Sequence, residues 1–253
     1  MNVYGPLQYV EQFHLLFLDQ LGRKVDKRYF ALKGGCNLRF FLKSIRYSEG
    51  MDLDVQTVPR ALLQDKVGMI LDSKPFRQIL QVRDIQIAQW TEPKQTDTTQ
   101  RWKLILHTTG SATSLPTKIE FSRRGMQDES RFEPVDPELI RSYRLAPIMA
   151  SHYPIDIAYC QKVGALANRT LTQARDVFDL NLLINSGAKK ELPDEWEKCR
   201  RKALENVMSV TFATFKSQVL AYLTEEYRAQ YDSDSVWETM QLTVAEALGE
   251  AES

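Results

Sequence analysis

The chain has 253 residues, 43% of them hydrophobic and 26% charged, with 11 glycines and 10 prolines, a balance that excludes disorder and low complexity. A chain of this length buries roughly 70–75% of its unfolded surface, as one large domain or two ordinary ones. Its 33 basic and 33 acidic residues cancel, which excludes a global field toward nucleic acid or anionic membrane and leaves any RNA contact to a local patch.

From the N-terminus, Leu7, Val10, Phe13, Phe17 and Leu21 recur at helical spacing behind Pro6, so Pro6 to Leu21 is predicted helical, with Gly22 as its stop and His14 as a boundary histidine rather than a ligand. Tyr29 to Lys33 is a short apolar run halted by Gly34-Gly35, and Leu38, Phe41 and Leu42 then return at helical spacing. This reads as strand, tight turn, helix. Two glycines admit positive φ and close approach of a ligand, and the helix N-terminus that follows offers unpaired N–H groups to an anion, so Gly34 and Gly35 are candidate phosphate contacts. Met51 to Val55 alternates apolar and acidic residues, placing Asp52 and Asp54 on one strand face. Two adjacent carboxylates repel, and a hard cation such as Mg²⁺ bridging to phosphates would offset that; the bland reading is a solvated strand face.

Pro59 to Leu71 is again helical, with Leu62, Leu63, Val67, Ile70 and Leu71 as its buried face. Val82 to Trp90 and Trp102 to His107 read as two strands around the polar loop Thr91 to Gln100. In the next strand Lys118 and Glu120 share a face opposite Ile119 and Phe121, which allows a third carboxylate beside the aspartates; a charged edge strand that resists aggregation is the alternative. Gly125 to Pro137 reads as a polar surface loop or lid, and Tyr143 to Met149 as one more strand. A boundary near Ser151 then separates an α/β lobe, 1–150, from a helical lobe, 151–253.

In the second lobe Ile155 to Ala167 and Thr172 to Ile184 are predicted helices, with Asn185-Ser186-Gly187 closing the second. Asp176 and Asp179 are neighbours on its surface with Arg175 alongside, which taken alone reads as a solvated helical face with local ion pairs. Glu195 to Leu223 holds one or two helices and Val236 to Leu248 a terminal one. Lys198, Arg200, Arg201 and Lys202 form the best local candidate for an RNA contact, against the commoner reading of a solvated charged face. Cys36, Cys160 and Cys199 are widely spaced with no zinc-type spacing, so a reducing, cytoplasmic compartment is expected. Residues 1–6 lack the basic flank and apolar core of a leader, and about 18 apolar residues never run together, so neither export nor membrane insertion is expected.

The order L-K-G-G-x-x-L-R from Leu32 to Arg39, R-Y-S-E from Arg46 to Glu49, and D-L-D from Asp52 to Asp54 resembles the abortive-infection AbiEii/AbiGii toxin family, minimal nucleotidyltransferases of the DNA polymerase β-like superfamily. Thr117 to Phe121 is similar to the family's K-I-D/E strand, Gln161 to Leu166 with Arg169 to its E-K-L-x-A-L-x-x-R segment, and Arg175 to Leu180 to its R-D-x-x-D-L helix. The resemblance implies an α+β architecture: a nucleotidyltransferase-fold mixed sheet flanked by helices, followed by a C-terminal helical lobe. It implies transfer of NMP from an NTP to an acceptor hydroxyl, with RNA, and tRNA in particular, as acceptor, and a cognate antitoxin protein as partner. The implied site has Mg²⁺ or Mn²⁺ on Asp52, Asp54 and Glu120, catalytic support from Lys118 and Asp176, and nucleotide contacts from Gly34, Gly35, Arg39, Ser48, Lys162 and Arg169. Arg46 is a further candidate for ordering the turn. The chain departs from the family at Gly50, where many members carry a further acid: either the metal pair is Asp52 and Asp54, which is the expectation, or the lost acid marks a weakened enzyme. A small-molecule nucleotidyltransferase and a non-catalytic NTP-binding module are the competing readings.

Overall fold

A computed structural model describes residues 4–109, 111–126, 129–189, 192 and 196–249. The chain divides into two compact units, one of Met1–Lys43 with Tyr47–Tyr153, the other of Ser44–Arg46 with Pro154–Ser253.

The first unit is built on a seven-stranded mixed sheet: β1 (Phe30–Lys33), β2 (Gly50–Val55), β3 (Gln86–Gln95), β4 (Thr99–Thr108), β5 (Ser111–Ser122), β6 (Arg131–Pro134) and β7 (Met149–His152), in the order β3-β4-β5-β2-β1-β7-β6. β2 runs parallel to β5 and antiparallel to β1. Alternation in β2 sends Met51, Leu53 and Val55 into the core and Asp52 and Asp54 to the opposite face. Helix α1 (Pro6–Lys24) lays Phe13, Phe17 and Leu21 in that core, with α3 (Arg60–Leu71) adding Leu63, Val67 and Ile70. Gly22 does not stop α1, because burial of Leu21 and the Val25 N–H bonded to the Leu21 carbonyl carry the helix on to Lys24.

Other differences from the sequence reading have local causes. The segment before β3 is helix α4 (Lys74–Val82), begun by the Ser73 side chain accepting from the Phe76 N–H and by Pro75 in the first turn, so Val82 ends a helix rather than opening a strand. The expected strand Tyr143 to Met149 is instead the exit of helix α5 (Pro137–Ser142), which Asp136 caps through the Glu138 N–H; only Met149 belongs to a strand, β7. The expected loop Gly125 to Pro137 contains β6, with residues 127–128 outside the described set. The loop expected from Thr91 to Gln100 is short, since β3 runs to Gln95 and β4 begins at Thr99. His14 is no boundary residue: it is 1% exposed, its Nε2 lies 2.8 Å from Thr117 Oγ1, and the Thr117 hydroxyl donates to the Glu49 carbonyl. Thr117 therefore receives the His14 Nε2–H, and burial pushes the imidazole pKa down to about 3.

The second unit is helical: α6 (Ile155–Asn168), α7 (Ala174–Asn185), α8 (Glu197–Val207), α9 (Phe212–Gln218), α10 (Glu225–Tyr231) and α11 (Asp234–Gly249). α6 packs on α7 and α8, and α11 on α7 and α8, around Val163, Leu166, Val177, Leu180, Ala203 and Val244. Glu195, the expected start of the next helix, lies outside the described residues. Among the described residues no helix is long and apolar enough to cross a membrane, and all three cysteines are free thiols.

Candidate nucleotidyl-transfer site

Strand β1 delivers the chain into helix α2 (Gly34–Phe41), whose first residue is Gly34 itself. Gly34 has φ +65°, a conformation that favours glycine, and a Cβ built there would stand 3.2 Å from Asp52 Oδ2, tight enough that the carboxylate would have to shift. Gly35 follows in the first turn of α2. Antiparallel pairing sets Lys33 opposite Asp52 and Ala31 opposite Asp54; parallel pairing sets Asp52 opposite Glu120 and Gly50 opposite Lys118. The register thus gathers Lys33, Asp52, Asp54, Lys118 and Glu120 on one sheet face.

Their immediate partners differ. Asp54 is 6% exposed and both its oxygens are engaged: Lys33 Nζ donates to Oδ1 at 2.5 Å and the Tyr153 hydroxyl donates to Oδ2 at 2.9 Å. Glu120 Oε2 accepts from Arg101 Nε at 2.5 Å across the β4–β5 pair. Asp52, half-buried, has neither ion pair nor hydrogen bond among the described residues. Lys33, Asp52 and Glu120 line one pocket with Thr99, Ser122 and Arg124, a polar cleft that carries both signs of charge. A roomier cleft, lined by Arg77, Gln81, Asp84, His107 and Thr109, has no comparable carboxylate pair, and its one acid, Asp84, is capped by the Thr109 N–H and hydroxyl.

The donor set suits a divalent cation in part. Mg²⁺ is usually held by one or two carboxylates together with substrate phosphates. Asp52 with its unengaged oxygens and Glu120 facing it fit that description. Asp54 fits only if the Lys33 and Tyr153 bonds are given up, and no three carboxylate, imidazole or thiolate groups of the described residues converge as a metal site.

Gly50 has a steric explanation. A Cβ there would come within 2.4 Å of Lys118 Cγ and 2.9 Å of the Lys118 carbonyl oxygen, so the lysine chain occupies the space in which a further acid would stand. Ser48 serves the turn before β2, its hydroxyl donating to the Gly50 carbonyl at 2.7 Å. Arg39 is turned toward α1, paired with Glu11 at 2.7 Å and lying over the Tyr47 ring; the Tyr143 hydroxyl donates to the same Glu11.

The remaining expected site residues belong to the second unit, where they form one network around two buried aspartates. Asp176 and Asp179 are both 0% exposed, which corrects the reading of a solvated helical face. Asp179 accepts from Arg46 at 2.8 Å and Lys162 at 2.6 Å; Asp176 accepts from Lys162 at 3.1 Å and Arg169 at 2.6 Å. Burial alone would push both carboxyl pKa values up, but these cations outweigh it and hold both below the ordinary aspartate value. The basic cluster on α8 is divided: Arg200 is buried against Glu197 and the Leu248 carbonyl, Arg201 pairs with Glu197, and Lys198 and Lys202 are exposed.

A family model for the nucleotidyl transferase AbiEii toxin of type IV toxin–antitoxin systems matches residues 16–241. The chain belongs to the AbiEii toxin family and is a nucleotidyltransferase. The AbiEii fold is also that of solved structures of low identity. JHP933 from Helicobacter pylori superposes with a TM-score of 0.64 at 17% identity, over 98% of this chain and 93% of that one. MenT4, a nucleotidyltransferase toxin from Mycobacterium tuberculosis H37Rv, gives 0.58 at 18% identity, over 96% of this chain and 83% of that one. No curated protein matches the sequence. Within this AbiEii chain, the site residues that sequence reasoning missed are Lys33, Arg101, Arg124 and Tyr153. Lys33 had a signal in its place directly before Gly34-Gly35, but its position opposite Asp52, like the roles of the other three, depends on strand register and tertiary pairing.

Proposed function

We propose that this AbiEii-family enzyme transfers NMP from an NTP to an RNA hydroxyl, with tRNA as acceptor, as a toxin neutralised by a cognate antitoxin. The observation that carries the reading is Asp52: a carboxylate with no partner among the described residues, set against the positive-φ glycine that opens α2, with Glu120 opposite in register. The first turn of α2 offers backbone N–H groups to the triphosphate, and Arg124 and Lys33 add charge at the same cleft. Asp52 and Glu120 would hold Mg²⁺ or Mn²⁺, which when bound would neutralise phosphate charge in the transition state. The acceptor oxygen forms a bond to the α-phosphorus, the bond to the bridging oxygen breaks with its electron pair leaving on pyrophosphate, and the hydroxyl proton passes to water.

The test is incubation of the protein with each α-³²P-labelled NTP, Mg²⁺ and total RNA, beside Asp52→Asn. A labelled tRNA-sized band that needs Asp52 is the expected result. Absence of label in RNA, with label on a small hydroxylated acceptor instead, would overturn the RNA assignment and favour a small-molecule nucleotidyltransferase. Gly50 is no sign of a lost function, since its missing side chain makes room for Lys118; nucleotide binding without any transfer would establish a non-catalytic module instead.

A further inference from the structure

We propose that Lys33 is the built-in cation of the D-x-D pair: Asp54 anchors the lysine as a positioning residue, Lys33 contacts the nucleotide phosphates, and the divalent ion is left to Asp52 and Glu120. The inference rests on the nucleotidyl-transfer reading and deepens it. Alternating aspartates on one strand suggest two ligands of one metal centre, but the two carboxylates here have different surroundings. Asp54 is buried, with an ammonium at 2.5 Å on one oxygen and a phenol at 2.9 Å on the other. The phenol is itself fixed: Tyr153 is fully buried, its carbonyl accepts from the Asn37 amide at 2.8 Å, and its N–H donates to the Leu32 carbonyl at 3.4 Å. For Asp54 to coordinate a cation, its part-buried ion pair with Lys33 and its buried hydrogen bond from Tyr153 would both have to break.

Lys33 is placed to do more than neutralise Asp54. It is the residue before the α2 N-terminus, it lies opposite Asp52 in the β1–β2 register, and it lines the pocket that holds Asp52 and Glu120. An ammonium carries three donors. One is spent on Asp54, so others can meet a phosphate oxygen delivered to the α2 N-terminus. Asp54 then fixes where that charge stands, and the Tyr153 hydroxyl fixes Asp54.

The test separates metal binding from nucleotide binding. Mn²⁺ is titrated into the full chain with a non-hydrolysable NTP analogue and followed by loss of the free-ion paramagnetic resonance signal, while analogue affinity is measured by calorimetry. Circular dichroism melts confirm that each variant is folded. Wild type is expected to bind one Mn²⁺ per chain, Asp52→Asn to lose it, and Asp54→Asn to keep it within about threefold. Lys33→Met and Asp54→Asn should each weaken the analogue about tenfold, and the double variant no more than either alone, because both remove one interaction. Tyr153→Phe keeps the ring in the core and should leave Mn²⁺ binding unchanged. Two Mn²⁺ per wild-type chain, loss of Mn²⁺ in Asp54→Asn as in Asp52→Asn, or additive losses in the double variant would each overturn the inference while leaving the functional reading in place. A wild type that binds neither Mn²⁺ nor analogue would overturn both.

Discussion

Placing an acid at position 50 should harm this chain rather than improve it. In Gly50→Asp the new Cβ would begin 2.4 Å from Lys118 Cγ and 2.9 Å from the Lys118 carbonyl oxygen, and only the first of these can retreat by a side-chain rotation. The carbonyl belongs to β5, which pairs with β2 from Gly50 to Asp54, so relief requires the two central strands to separate at the edge of the site. Overpacking of this kind costs about 1–3 kcal/mol. For a unit of this size that corresponds to a fall of roughly 2–12 °C in Tm. Differential scanning calorimetry and urea melts measure it directly, and the transfer assay should show lower rather than higher turnover, because Asp52 and Glu120 sit on the strands being displaced. Lys118→Ala in the same background removes the Cγ clash but leaves the carbonyl, so it should recover part of the lost stability and no more. A Gly50→Asp protein with unchanged Tm and raised activity would refute the reasoning and show that position 50 is an open ligand site.

Asp52→Asn should leave the unfolding free energy within about 0.5 kcal/mol of wild type, since no partner among the described residues is lost, while lowering transfer about 10³-fold; a loss of several kcal/mol would show a structural role instead. Gly34→Ala forces a Cβ into a conformation with φ +65° and against Asp52 Oδ2, so it should cost about 1–2 kcal/mol in urea melts and reduce nucleotide affinity; a neutral result would remove the steric argument. Asp179→Ala leaves the Arg46 guanidinium, 4% exposed, without its carboxylate, and should destabilise by about 3–5 kcal/mol; a loss under about 1 kcal/mol would mean the network is not held by that pair. His14 has a folded pKa of about 3 against 6.5 unfolded, so between those values only the unfolded chain takes up the proton, and this residue subtracts about 1.4 kcal/mol of stability per pH unit as pH falls. Urea melts of His14→Gln from pH 7 to pH 4 should lack that slope, and an unchanged slope would sink the assignment.

The strand–glycine–helix passage and the D-L-D strand were legible because each is local: two glycines punctuate an apolar run, and period-two alternation fixes which side of β2 is acidic. The Lys118 and Glu120 alternation was legible for the same reason, and its phase places Glu120 beside Asp52 once β2 and β5 pair in parallel. What was not legible depends on which strand lies beside which. Arg101 meets Glu120 only through the β4–β5 register, and Tyr153 reaches Asp54 only because β7 pairs with β1, on the far side of β1 from β2. Arg39 was expected at the nucleotide from its motif, but on an eight-residue helix its side chain leaves on the face toward Glu11. Helix α4 does carry local signals, Ser73 at its N-cap and Pro75 in its first turn, while the alternation from Val82 to Ile87 that suggests a strand begins on the helix's last residue.

The distribution of partners among the acids carries the functional argument further than their proximity does. Three carboxylates gathered on one sheet face should repel, and an assembly of this kind persists only if most of that charge is answered locally. Asp54 is answered by Lys33 and Glu120 by Arg101, while in the helical unit Asp176 and Asp179 share Lys162 with Arg169 and Arg46. Asp52 is the acid of the pocket that has no direct partner among the described residues, although Lys33 and Arg124 line the same cleft. Its carboxylate stands 3.2 Å from the space a Cβ at Gly34 would fill and beside N–H groups suited to a phosphate. A cation arriving at Asp52 with a triphosphate would satisfy both at once, whereas either alone would leave the other's charge unmatched. Metal and nucleotide should therefore bind cooperatively: Mn²⁺ affinity measured without nucleotide should be at least tenfold weaker than with it, and equal affinities would show that Asp52 holds its ion independently of the phosphates.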